Sequence, residues 1–248
     1  MGIRSRLFNV YWSIRRMVAP QLRYSQYVYE DILRRYVHPS VDWIEMGCGH
    51  SILPSWRAAQ ERQLVNNCKG VFGIDYDWQS LKAHVTIANK LRGDITRLPF
   101  RSASFDLVTA NMVVEHLDNP DLQFKEIHRI LRSKGVFLFH TPNAYGYGVI
   151  LSRLVPEFLK GKLIHLVEGR EEHDVFETHY AANTEKSIRV LAEESGFEVV
   201  EMHLLVTDAI FAMVPPLALL ELLWIRLLMS GPFRTFRTNI IVALRRVD

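Results

Sequence analysis

The stretch Val41-Asp42-Trp43-Ile44-Glu45-Met46-Gly47-Cys48-Gly49-His50-Ser51 decides the fold. It is an apolar run that ends in an acid and then in two glycines one residue apart, the pattern of a buried strand turning sharply into a loop able to hold a nucleotide. Gly47 and Gly49 lack a Cβ, so the backbone there can take positive φ and approach a ligand closely. The amides that open the following helix offer unpaired donors. Glycine pairs of this kind also occur in ordinary turns, and what lies downstream separates the two readings.

Gly70-Val71-Phe72-Gly73-Ile74-Asp75 is a second apolar strand ending in an acid, one βαβ unit further on. A carboxylate at that point can accept both hydroxyls of a ribose. A third acid arrives in Arg92-Gly93-Asp94-Ile95, ahead of Leu98-Pro99-Phe100, and Ser104 to Asn111 reads as another buried strand. Three acids thus close three successive loops along the carboxyl edge of one parallel sheet, where open α/β sheets bind their ligands.

With these residues in view, the chain resembles the class I S-adenosylmethionine-dependent methyltransferases, closest to the ubiquinone and menaquinone biosynthesis (type 11) group. The resemblance runs from about Val41 to Leu205 through Glu45-Met46-Gly47-Cys48-Gly49, Gly73-Ile74-Asp75, Gly93-Asp94-Ile95, Phe105-Asp106-Leu107-Val108, Val114-Glu115-His116-Leu117 and Leu131-Arg132-Ser133-Lys134-Gly135-Val136-Phe137. It implies S-adenosylmethionine as cofactor, with Gly47, Cys48 and Gly49 around the methionine end and Glu45 orienting the loop and the amino group. It further implies Asp75 on the ribose, Tyr76 flanking the adenine, Asp94 and the backbone of Ile95 at the adenine edge, and Asn111 on the methionine portion. The family's third glycine is Ser51 here, small enough to keep the loop. A dinucleotide-binding domain would instead need a glycine where Ile52 stands, for close packing of helix on strand.

The fold expected is an α/β, Rossmann-like seven-stranded sheet with an antiparallel last strand and helices on both faces. An amino-terminal helical cap (1–40) precedes a methyltransferase domain (41–248) that carries a substrate lid (142–183) and an apolar helical insert (206–236) before the last strand. The 248 residues, 48% hydrophobic and 23% charged, suit one large α/β domain. The formal net charge of +3, with acids and bases interspersed, gives no argument for nucleic acid. Two cysteines make no disulfide framework and point to a reducing cytoplasm.

At the amino terminus Ile3, Leu7, Val10, Tyr11, Ile14, Met17 and Val18 fall on one helical face, with Arg4, Arg15 and Arg16 bordering or opposing it. Such a helix suits either an anionic membrane or the body of the protein. Arg15 and Arg16 interrupt any signal-peptide core. A second helix is expected over Tyr24 to Val37. The lid's His165, Glu171, Glu172, His173, Asp174, Glu177 and His179 match no zinc spacing, and no metal is expected; His173 or His179 would touch substrate. For a phenol or enol acceptor, His116 is the candidate catalytic base and His140 the less well placed one.

Ala209 to Met229 is nearly all apolar, close to the length of a membrane span, but strands expected at 197–205 and 238–245 must return both its ends to one side. A membrane-surface helix, a shallow re-entrant hairpin or a wall for an apolar substrate satisfies that constraint, and a core or homodimer helix is the plain alternative. Arg234, Arg237, Arg245 and Arg246 stand beside it as candidates for lipid headgroups. The function expected is methyl transfer to a small-molecule or lipid-like acceptor, with oxygen the acceptor atom by resemblance. The alternative is a catalytically silent cofactor-binding module docked on a membrane or protein partner.

Overall fold

The computed structural model describes residues 2–154 and 177–248. One seven-stranded sheet organises the chain, in the order β3-β2-β1-β4-β5-β7-β6, and its last strand is antiparallel to its neighbour. The strands are β1 (Asp42–Met46), β2 (Gly70–Asp75), β3 (Asn89–Arg92), β4 (Phe105–Asn111), β5 (Leu131–Pro142), β6 (Phe197–Leu205) and β7 (Asn239–Arg246). β1 lies between β2 and β4, parallel to both, with Met46 beside Ile74 on one side and Ala110 on the other. Covered on both faces, it reads as an unbroken apolar run rather than an alternation, and Trp43, Ile44 and Met46 are buried. The chain reverses its strand order at β1, and the carboxyl ends of β1 and β4 flank that switch point, where open α/β sheets bind their ligands.

The helices are α1 (Ile3–Val18), α2 (Ser25–Tyr36), α3 (Ala58–Asn66), α4 (Trp78–Ala83), α5 (Pro120–Ile130), α6 (Tyr147–Leu154), α7 (Glu185–Glu194) and α8 (Pro215–Leu228). Local chemistry sets several of their starts. Asn119 caps α5 through Leu122 N with Pro120 at the first turn, and Thr184 and Ser187 form a reciprocal capping box on α7. Asp77 caps α4 through the amides of Gln79 and Ser80. Under α5, Phe124 meets Phe137, Phe139 and Phe197 edge-on or nearly so.

The described residues separate into two compact units. The larger (26–141, 178–203 and 240–248) holds most of the sheet. The smaller is assembled from residues 1–25, 142–177 and 204–239 as far as they are described. In the smaller unit Tyr11, Leu22, Val206, Ala218, Leu222, Ile225 and Leu228 form a common core, to which Ile14, Val18 and Tyr147 add partly buried surface.

The smaller unit revises the reading of α1. Tyr11 is buried as expected, but Val10 and Met17 are exposed, and Arg15 is buried as well. Its Nε donates to Asp208 Oδ1 at 2.5 Å and its guanidinium to Leu22 O at 2.6 Å. Pairing with Asp208 overrides the helical-wheel placement, because a paired guanidinium tolerates burial and an exposed Met17 costs little. Glu221 likewise faces inward on α8, accepting from the amides of Ile210 and Phe211 at 2.8 Å each and from Tyr147 Oη at 2.6 Å.

At 14 residues α8 is about 21 Å long at 1.5 Å per residue, short of a ~30 Å hydrocarbon core. No helix among the described residues is long and apolar enough to cross a membrane. Three of the four basic residues read as headgroup ligands have structural work instead. Arg237 donates to the carbonyls of Leu204, Leu228 and Met229, Arg245 pairs with Glu198 at 3.1 Å, and Arg246 donates to the carbonyls of His128 and Leu131.

Candidate functional site

The larger unit brings Glu45, Gly47, Cys48, Gly49, Asp75 and Asn111 to one edge of the sheet, at the ends of β1, β2 and β4. Gly47 and Gly49 both hold positive φ, +61° and +50°. Their surroundings differ. A Cβ on Gly47 would run into Val113 Cγ2, whereas a Cβ on Gly49 would meet nothing within 4 Å. Gly47 is therefore glycine because protein packs on it, and Gly49 lies against space in which a ligand can approach the backbone.

Asp75 ties the loop to the second strand. Its Oδ2 accepts from Gly49 N at 2.7 Å and its Oδ1 from Asp77 N at 2.8 Å, which leaves each oxygen acceptor capacity for a hydroxyl. Gly73 in β2 admits Cys48, whose Sγ lies 2.8 Å from where a Cβ would stand. Burial, reinforced by the Asp75 and Glu45 carboxylates, pushes the Cys48 thiol up, so it is a packing residue rather than a thiolate nucleophile.

Glu45 is buried at the end of β1 and accepts from Thr109 Oγ1; Thr109 also receives the Trp43 indole N–H. Burial raises its carboxyl to about 8, hydrogen bonds from Thr109 and the Asn111 amide oppose that, and the Glu61 charge adds to it. Asn111 is fixed from three sides. Its amide group donates to Gln26 Oε1 at 2.9 Å and Ile52 O at 3.3 Å, and its oxygen lies 3.0 Å from His140 Nδ1. The next residue, Met112, holds φ +59°, an uncommon conformation for an unbranched bulky side chain, of the sort that concentrates at functional edges.

Tyr76 and Asp94 lie further along the edge and are exposed. The Arg92 guanidinium sits 5.4 Å over the Tyr76 ring, and Asp94 Oδ1 accepts from Thr96 N at 2.8 Å. Ile95, half-buried, follows Asp94 in the same turn.

His140 is no base in this arrangement. Burial lowers it to about 3, its ring stacks on Tyr29 with centroids 5.8 Å apart, and its Nδ1 addresses Asn111. It is a positioning residue. His116 ends a 3-10 turn, Val114–His116, and is half-buried beside Glu115. Glu115 anchors the returning chain: its carbonyl accepts from the amides of His179 and Tyr180, and its carboxylate from Thr141 Oγ1 at 2.9 Å. His179 is thereby held next to the His116 turn. His165, Glu171, Glu172, His173 and Asp174 lie outside the described residues.

Three participants left no sequence signal. Gln26, 85 residues from Asn111, is brought to it only by tertiary packing. Thr109 reads as one more strand residue. Glu61 accepts the amides of Ile52 and Leu53 at 3.0 and 2.9 Å. That last contact bears on the dinucleotide alternative. The amides expected to greet a ligand are spent on a buried carboxylate, and α3 begins only at Ala58, so a pyrophosphate at this turn would find acid instead of free donors.

The model of the family described as "Methyltransferase domain" matches residues 44–139. A probable S-adenosylmethionine-dependent methyltransferase of Mycolicibacterium smegmatis is 32% identical over 121 residues, which are 46% of this chain and 44% of that protein. A malonyl-[acyl-carrier protein] O-methyltransferase of a Methylovorus species is 44% identical over 110 residues, 40% of this chain and 36% of that protein. The chain thus spans less than half the length of these curated relatives. Among solved structures, an S-adenosylmethionine-dependent methyltransferase from Mesorhizobium loti shares the fold, with a TM-score of 0.56 at 17% identity over 87% of this chain and 96% of that one. Residues 44–139 are thus similar to the S-adenosylmethionine-dependent methyltransferases of the type 11 group, a family whose fold and motifs imply S-adenosylmethionine as the cofactor.

Proposed function

We propose that this protein transfers a methyl group to an oxygen of a small-molecule or lipid-like acceptor. The observation that carries the reading is the open space at Gly49, bounded by a loop that Asp75 ties to the end of β2. In this reading Gly47, Cys48 and Gly49 wrap the methionine end of the cofactor and Glu45 and Asn111 orient it. Asp75 takes the ribose hydroxyls, Tyr76 flanks the adenine, and Asp94 with the Ile95 backbone meets its edge. The relative that acts as an O-methyltransferase supports oxygen as acceptor atom.

When bound, S-adenosylmethionine supplies an electrophilic methyl on a sulfonium, whose S–C bond breaks as the O–C bond forms. The chain's own contribution is alignment and exclusion of water. For a phenol or enol, His116 takes the acceptor's proton at an imidazole nitrogen. The exposed apolar face of the smaller unit supports a lipid-like acceptor and peripheral contact with a membrane from the cytoplasmic side; a homodimer through that face is the competing arrangement.

Calorimetry tests the core of this reading. The wild type should bind S-adenosylmethionine, and Asp75→Ala should weaken it at least tenfold, since a hydrogen bond to a charged group contributes about 1.5–3 kcal/mol. NAD binding with no affinity for S-adenosylmethionine would overturn the assignment. Binding with no methyl transfer to any phenolic, enolic or carboxylic acceptor would select the silent module.

A further inference from the structure

α8 has the composition of a buried helix with only one side covered. Ala218, Glu221, Leu222, Ile225 and Leu228 line its buried face, and the rest of its circumference presents Leu217, Leu219, Leu220, Leu223, Trp224 and Leu227, each 41% exposed or more. A solvent-facing half-helix of a soluble protein is ordinarily polar, and an apolar patch of this kind marks an interaction site. The charge of the same unit says what kind. Over the unit's residue ranges the sequence carries twelve lysines and arginines against eight acids, and residues 1–25 hold five arginines and no acid.

The two acids of residues 204–239 are turned inward, Asp208 onto Arg15 and Tyr11 and Glu221 onto Tyr147 and the 210–211 amides. The first 25 residues are correspondingly cationic. Arg4, Arg6 and Arg16 are exposed on α1, and Arg226, at the border of the apolar face, donates to Val18 O at the end of α1 and so holds the two helices together. Phe8 and Trp12, both exposed, add aromatic surface on α1.

We propose that the outer face of α8, with the arginines of α1, is a docking surface for an anionic phospholipid membrane. A second copy of the chain is the poorer occupant, because a two-fold contact would bring two cationic units together. The proposal deepens the peripheral contact above by naming the lipid charge and the residues. Leucines 220, 223 and 227 and Trp224 enter the interfacial region, and the arginines address phosphate groups around them.

Vesicle co-sedimentation of the full chain tests it. Phosphatidylglycerol-containing vesicles should retain the wild type at least tenfold better than pure phosphatidylcholine vesicles, and raised salt should reduce the difference. Leu220→Glu with Leu223→Glu should abolish retention, and Arg6→Gln with Arg16→Gln should weaken it severalfold. In each variant the melting temperature and calorimetric S-adenosylmethionine affinity should stay unchanged, which separates this surface from the cofactor site. Equal retention on both vesicle types would overturn the anionic specificity. No retention on either, with a dimer that the leucine variants dissociate, would overturn membrane docking altogether.

Discussion

Gly47 and Gly49 look equivalent in sequence, and the structure assigns them different failures. Gly47→Ala combines a left-handed backbone with a collision against Val113, and should destabilise the fold by about 1–3 kcal/mol while removing cofactor binding. Gly49→Ala has only the backbone cost, about 1–2 kcal/mol, and should lose affinity out of proportion to stability. Thermal melts paired with calorimetry distinguish them; equal stability losses would contradict the packing difference. Glu45 gives a pH signature. Its folded carboxyl stands at about 8, above its unfolded value, so the stability it confers as a neutral group is complete below about 4.5 and is lost as pH rises toward 8. Glu45→Gln should therefore gain on the wild type in melting temperature between pH 5 and 8. Placing a cofactor ammonium beside Glu45 should also expel its proton near pH 7, seen as a buffer-dependent binding enthalpy in wild type and not in Glu45→Gln. The acid was legible because it closes an apolar run; its protonation was not, since that depends on burial by other elements and, to a lesser degree, on the charge of Glu61.

At the scale of elements, the strands were the legible part. β2 and β6 fall at the positions read from the sequence, and β4 and β7 within one residue of them. Strands covered on both faces announce themselves as apolar runs, whereas a helix lying on another helix is ambiguous about which stripe is inside. That ambiguity misplaced Arg15 and hid Arg237, which joins the end of α8 to β6 through three carbonyls. Arg237→Ala strands those acceptors and should lower the melting temperature by several degrees at about 2–4 °C per kcal/mol. Arg237→Lys should recover only part, because an ammonium cannot reproduce the fork. Full recovery by lysine would show that charge rather than geometry matters there.

Across the whole molecule, the cofactor edge was readable because its residues sit at strand ends in chain order, and the smaller unit was not, because its segments meet only in three dimensions. His140 shows the same dependence. Held neutral by burial to about 3, it contributes stability that is intact above its unfolded value of about 6.5 and is lost as pH falls toward 3. His140→Asn should thus tolerate acid better than the wild type while binding cofactor less well at pH 7, in melts and titrations across that range.

Tyr11 and its acceptor Asp208 are 197 residues apart, and the partners of Tyr11 in the core of the smaller unit extend to Leu228. A ribosome adding about 5–20 residues per second makes α1 wait roughly ten to forty seconds before its partner helix exists. Throughout that time the aromatic stripe of a nascent helix is bare, and the larger unit can complete β1 to β5 first. The smaller unit is consequently incomplete until residues 204–239 have been made, and until then α1 is open to whatever chaperone or membrane stands near the exit tunnel.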